Sequence, residues 1–274
     1  MGREYFQSEV VSTVNLCDNV KHITFKPQRE ARFEFTPGQF IMIHFPNDEG
    51  VELNRSYSIA SIPGEDEGYA LCVKRVDFGK GSTLLHNLKV GDTIKTSGPF
   101  GRFTLRDADP EHLFMVATGT GIAPFRGMIL ELLEGGSTPC ESEIHLVMGA
   151  PYTSDLLYDD VFRKLADKHP GFHYHTVISR ETMPDGRPQG YIHHYLDRAT
   201  RLHADLLARD RTLLYICGLA GMQTGVFQTM ARLGVGGSYL KIHEELADVP
   251  PADWQAADIK RRVRPTHRCM LEVY

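Results

Sequence analysis

A turn of small residues between an apolar run and an amphipathic run is the first place where this chain could do chemistry. Thr118-Gly119-Thr120-Gly121-Ile122-Ala123-Pro124 follows residues 113–117, which read as a buried strand, and precedes residues 125–134, which read as a helix. Glycines at such a junction let a ligand approach backbone N–H groups at the positive end of the helix, as phosphates and dinucleotides do. Ala123-Pro124 replaces the third glycine of the common G-x-G-x-x-G pattern. The bland alternative is that glycine is present only for its dihedrals.

Other candidates lie on either side. In Arg55-Ser56-Tyr57-Ser58 a strand would turn Arg55 and Tyr57 to one face, although an exposed arginine beside a packed tyrosine needs no ligand. Gly81-Ser82-Thr83 opens a short helix over 82–88, so its N–H groups and the Ser82 hydroxyl suit an anion, while Ser82 also suits an ordinary N-cap. Cys217 ends the apolar run 212–217, where a lone cysteine is usually inert core. Glu272 and Tyr274, two residues apart, share one strand face.

Metal chemistry finds no pattern. The five cysteines, at 17, 72, 140, 217 and 269, form no close pairs, which argues against a disulfide framework, a zinc motif or an iron–sulfur motif. His173, His175, His193 and His194 lack ligand spacing, and His243-Glu244-Glu245 lacks the second histidine of a zincin. The expectation is no metal, with any redox chemistry carried by an organic cofactor.

Two kinds of element must position these residues. Six short β-branched or aromatic runs, at 9–14, 20–25, 40–45, 55–60, 69–76 and 93–96, are separated by turn pairs such as Pro37-Gly38 and Gly91-Asp92, which suggests an antiparallel β-barrel. From residue 113 strands (113–117, 144–148, 172–178, 212–217, 269–273) alternate with helices (122–134, 155–168, 191–197, 219–233), which implies an α/β parallel sheet of Rossmann type covered on both faces. The joint is expected near Asp107-Ala108-Asp109-Pro110, giving domains 1–107 and 108–274. Residues 247–254 read as a loop.

Composition agrees with a globular protein: 274 residues, 42% hydrophobic, 24% charged. The net charge of −5 argues against general nucleic-acid binding. No run approaches a membrane span or a secretory signal, so a cytoplasmic location is expected.

Order and spacing together carry a resemblance. Arg55-Ser56-Tyr57-Ser58, Leu71-Cys72-Val73-Lys74-Arg75, Gly79-Lys80-Gly81-Ser82-Thr83, the Thr118–Pro124 turn, Cys217-Gly218-Leu219-Ala220-Gly221-Met222 and the closing Leu271-Glu272-Val273-Tyr274 resemble the plant-type ferredoxin–NADP⁺ reductases. The resemblance implies that Arg55 and Ser82 hold the FAD pyrophosphate, that Tyr57 lies against the isoalloxazine, and that Ser58 sits near flavin N5. It places Cys72, Val73 and Lys74 along the flavin edge and Phe78 near the adenine, and adds Ser56, Lys80 and Gly81 to the FAD set. Gly81 replaces a common cysteine and Phe78 a tyrosine.

For NADP(H), the resemblance implies Thr118, Gly119, Cys217, Gly218 and Leu219 at the nicotinamide end, with Ala150 and Pro151 beside the nucleotide. Ser179 and Arg180 would bind the 2′-phosphate and Tyr191 would stack on the adenosine; Gln189 replaces a frequent lysine, with Arg187 as substitute. Tyr274 is then a gate over the flavin and Glu272 a proton carrier, so the catalytic set is Ser58, Cys217, Glu272 and Tyr274. The activity implied is electron transfer between NADPH and an acidic one-electron carrier, ferredoxin or flavodoxin, by a monomer. The basic cluster Lys260-Arg261-Arg262-Val263-Arg264, with His267 and Arg268, would dock that carrier or simply be solvated. The alternatives are an oxygenase reductase component and a non-catalytic nucleotide-binding module.

Overall fold

The computed structural model describes residues 4–274 apart from 30–31, 66, 137–139, 183–188 and 199–204. Arg187 and the first three residues therefore lie outside the described residues. Contacts divide the chain into two units, Met1–Leu105 with Ala123–Pro139, and Arg106–Ile122 with Cys140–Tyr274.

The first unit is an antiparallel sheet of six strands, β1 (Tyr5–Cys17), β2 (Val20–Gln28), β3 (Phe40–Pro46), β4 (Glu52–Ser58), β5 (Tyr69–Lys74) and β6 (Thr93–Phe100), in the order β4-β3-β6-β1-β2-β5. Its two outer strands meet through the Ile59–Leu71 bridge and the Ala60 N–H bond to the Ala70 carbonyl at 2.8 Å, which closes the sheet as a barrel. Alternation turns Val10, Ile23, Phe25, Ile41, Ile43, Tyr69, Leu71 and Val73 into one buried cluster. Tyr69 stacks on Phe25 at 5.4 Å and donates to Ser8 Oγ at 2.9 Å, so its buried hydroxyl is satisfied. Helix α1 (Lys80–Asn87) follows β5.

The second unit holds a parallel sheet, β13-β10-β7-β8-β9, formed by β7 (His112–Thr118), β8 (Glu143–Ala150), β9 (Phe172–Ile178), β10 (Thr212–Gly218) and β13 (Cys269–Val273). Covered on both faces, β10 is buried at every residue, as continuous apolar runs in parallel sheets must be. Helices α2 (Ile122–Glu134), α3 (Asp159–Lys168) and α4 (Ile192–Arg198) and the helix Ala220–Arg232 follow four of the strands. Nearly all of α2 groups with the first unit: Arg126 binds both Glu65 carboxylate oxygens, at 2.6 and 2.9 Å, and the Ala60 carbonyl at 2.8 Å.

Several local expectations shift. β1 runs on both sides of 9–14 because it pairs with two partners, β2 and β6. α3 starts at Asp159, after a 3-10 turn at Thr153–Asp155. Beyond Ala247, which ends a short helix, residues 248–254 hold only a 3-10 turn at Pro251–Asp253, but Trp254 is buried and its indole N–H donates to the Val249 carbonyl at 3.0 Å; past this stretch a helix Ala256–Arg262 leads to β12 (Val263–Pro265), which pairs with β11 (Leu240–Ile242). These pieces are too short to show a period in sequence. Among the described residues no helix is long and apolar enough to cross a membrane.

Candidate active site

In the first unit the candidate residues gather where β4 passes the start of α1. Arg55 and Ser56 are exposed, Tyr57 and Ser58 half-buried. Burial pushes the Tyr57 hydroxyl up to about 12, against the opposing charge of Arg55, so Tyr57 is a neutral ring at physiological pH. A Cβ placed at Gly81 would lie 3.0 Å from Arg55 Cγ and 3.2 Å from Phe45 Cζ, so glycine there is what lets Arg55 lie against the first turn of α1. The first-turn amides of a helix lack intrahelical partners, and a guanidinium beside them makes a cradle suited to a pyrophosphate.

The N-cap of α1 is Gly79, not Ser82. Ser82 lies within the first turn, where its buried hydroxyl accepts from Val76 N–H and donates to the Gly79 carbonyl, both at 3.1 Å. Its side chain therefore shapes the loop that carries Phe78. That residue has φ +60°, uncommon for a residue other than glycine, and a fully exposed apolar ring whose surface a stacked heterocycle would cover. Lys80 pairs with Asp48 at 2.6 Å. Cys72 and Val73 are buried and Lys74 is exposed, so a ligand on this edge meets main chain and the Lys74 side chain.

In the second unit every candidate lies at or just beyond the carboxyl end of a parallel strand, where open α/β sheets bind ligands. Thr118 ends β7, and its Oγ1 accepts from Leu219 N–H at 3.2 Å. Gly119–Gly121 form one 3-10 turn before α2. A Cβ at Gly121 would lie 2.3 Å from the Cys217 carbonyl oxygen, so this glycine seats the turn against the end of β10. Ala150 ends β8 and Pro151 follows it, and their carbonyls accept from Ser179 N–H at 3.0 Å and Arg180 N–H at 2.9 Å. Gly190 N–H bonds to the Ile178 carbonyl at 2.8 Å, which ties the chain before Tyr191 to the end of β9; Arg180 and Tyr191 are both exposed, and His193 lies parallel to the Tyr191 ring at 5.7 Å.

The chain end is tied into the same edge. β13 pairs with β10 in register Cys217↔Glu272 and Gly218↔Val273. Tyr274 N–H bonds to the Gly218 carbonyl at 3.1 Å, Tyr274's own carbonyl accepts from Ala220 at 3.3 Å, and its hydroxyl lies 2.8 Å from Thr120 Oγ1. Burial first, and the Glu272 charge second, push the Cys217 thiol well above its ordinary range. It is a neutral packing surface, with no thiolate to offer. Thr120, which bonds to Tyr274, is a further candidate whose only signal in sequence is a second threonine in the glycine turn.

Residues 7–105 match the family model described as an oxidoreductase FAD-binding domain, and residues 115–228 the one described as an oxidoreductase NAD-binding domain. The chain is 30% identical to ferredoxin–NADP reductase B of Sorangium cellulosum over 89% of its own length and 98% of that protein. It is also 30% identical to DmpP, the reductase component of phenol 2-monooxygenase of a Pseudomonas species, over 83% of this chain and 62% of that one. Among solved structures, a ferredoxin NADP⁺ reductase from Neisseria gonorrhoeae with bound FAD and NADP shares the fold with a TM-score of 0.73 at 21% identity, covering 99% of both chains.

Proposed function

The chain belongs to the ferredoxin–NADP⁺ reductase family of FAD- and NAD(P)-dependent oxidoreductases, and from that premise we propose that it exchanges electrons between NADPH and a one-electron carrier, ferredoxin or flavodoxin, as a cytoplasmic monomer. The FAD pyrophosphate would be held by Arg55 and the amides of Lys80, Gly81 and Ser82, the adenine by Phe78, and the isoalloxazine by Tyr57 and Ser58, with Cys72–Lys74 along its edge. The space that Gly81 leaves beside Arg55 supports that fit. Bound there, FAD supplies what the side chains lack, exchange of a hydride with nicotinamide and of single electrons with the carrier.

The remaining roles fall to this chain's own groups. Arg180 and Ser179 bind the 2′-phosphate of NADPH, for which a planar, permanently charged fork is suited, and Tyr191 stacks on its adenine. Thr118, Gly119, Gly218 and Leu219 receive the nicotinamide end, against the neutral Cys217 surface. Glu272 holds a proton at its carboxylate for exchange with the reacting pair. Tyr274 occupies the place that the nicotinamide must take, and leaves Thr120 when the coenzyme arrives.

The observation that carries this reading is Tyr274, fixed by its own amide and hydroxyl at the carboxyl ends of β7 and β10. The test is stopped-flow reduction of the purified yellow protein by NADPH and by NADH, followed by transfer to ferredoxin, flavodoxin and ferricyanide. NADPH should reduce it much the faster, and one of the two protein carriers should accept electrons. Equal rates with NADH would remove the role of Arg180, and transfer to ferricyanide alone would sink the carrier assignment. The similarity to DmpP favours a second reading, supply of electrons to an oxygenase, which predicts turnover only when that oxygenase's own components are added.

A further inference from the structure

Three potential metal ligands meet at the amino ends of β7 and β8, the opposite ends from Thr118 and Ala150. Parallel pairing sets His112 beside Glu143, and Phe114 beside His145. Glu143 Oε2 lies 3.3 Å from His112 Nδ1 and 3.7 Å from His145 Nε2, and the three ligand atoms all fall within 4.8 Å of one another. With bonds of about 2.0–2.1 Å, the ligand atoms of a tetrahedral site stand about 3.3 Å apart. Glu143 is therefore already near ligand spacing from both histidines, and small side-chain rotations close the set.

Burial favours the same use. The imidazoles are 7% and 6% exposed, whereas the Glu143 carboxylate is 52% exposed and gives an ion a way in from water. His145 stacks on His173 of β9 at 4.5 Å, which fixes its ring plane. His112 Nδ1 is buried and makes no hydrogen bond despite the nearby carboxylate. We propose that His112, Glu143 and His145 bind one divalent transition ion that clamps β7 to β8. Two neutral nitrogens and one carboxylate are the ligand chemistry of zinc and disfavour magnesium or calcium.

Arg209 competes with the ion. Its guanidinium lies 2.8 Å from His112 Nε2 and can only donate, so that nitrogen holds the lone pair and Nδ1 the proton. Binding at Nδ1 moves the proton to Nε2 and turns Arg209 away. From His112 to Thr118 the strand covers roughly 20 Å, so the ion stands apart from the nicotinamide end.

The test is calorimetric titration of the full-length, FAD-loaded, untagged protein with zinc after chelator treatment. One equivalent should bind with micromolar affinity, raise Tm, and leave NADPH–ferricyanide turnover unchanged. Glu143→Gln, a change at a half-exposed side chain, should weaken binding at least tenfold and abolish the Tm shift, and Arg209→Met should tighten binding several-fold. Absence of binding, equal titration of wild type and Glu143→Gln, or weaker binding by Arg209→Met would overturn the proposal.

Discussion

At the scale of single residues, the site is defined by groups kept neutral or held in reserve. The Tyr274 hydroxyl lies 2.8 Å from Thr120 Oγ1, a side-chain hydrogen bond that holds the ring in place. Such a bond contributes about 0.5–1.5 kcal/mol, so Thr120→Val should tighten NADP⁺ binding by roughly two- to tenfold, read by difference spectroscopy. An unchanged Kd would mean that ring release is not opposed by this bond. Cys217 gives a second test. Its thiol is buried and pushed up in pKa, whereas Cys17 and Cys140 are half-buried. Iodoacetamide at pH 8 should label Cys17 and Cys140 in the folded protein and spare Cys217, as mass spectrometry can read. Labelling of Cys217 at the rate of Cys140 would show a thiolate that burial forbids.

At the scale of elements, the contact of α2 with the β4–β5 connection is held by charge as well as packing. Arg126 is 11% and Glu65 31% exposed at the side chain, so their bidentate pair is only partly screened. Arg126→Met should cost about 2–3 kcal/mol in urea unfolding, less than the ~3–5 of a fully buried pair, and a double-mutant cycle with Glu65→Gln should recover part of it. His22 reports on the same place. Burial first, and the Arg126 charge second, lower its pKa from 6.5 to about 4, against the pull of Glu65. Between those values the unfolded chain holds the extra proton, so stability rises with pH there and is lost as pH falls from about 6.5 to about 4. His22→Gln should flatten the urea midpoint across that window; an unchanged slope would assign the acid sensitivity elsewhere.

At the scale of the whole molecule, a net charge of −5 must coexist with any surface for an acidic carrier. The structure narrows the basic cluster from which that surface would be built. Arg262 is committed to Glu245 at 2.8 Å and to Asp258, and Arg268 is half-buried on backbone carbonyls, while Lys260, Arg261 and Arg264 are exposed. Reversing Arg261 and Arg264 to glutamate should raise the KM for the carrier roughly tenfold at low ionic strength and flatten its salt dependence. Ferricyanide reduction should not change. A KM that follows neither charge nor salt would place docking on another face.

The sequence by itself determined the two grammars of the chain, because period-two alternation with turn pairs and the strand–helix alternation are local patterns. It also determined the order of Arg55, Ser82, Thr118, Cys217 and Tyr274, since each sits in a short motif. Only the tertiary structure decided how those motifs are used. Gly121 reads as a ligand cradle in sequence, yet its missing side chain is required by the Cys217 carbonyl, nearly a hundred residues away in the chain. Ser82 reads as a cap and instead braces the loop of Phe78, because the helix begins two residues earlier. His112 and His145 show no ligand spacing, and they meet over Glu143 only because parallel strands bring distant residues into register. Local pattern fixes elements, whereas long-range pairing fixes which side chains share a place, and chemistry depends on the second.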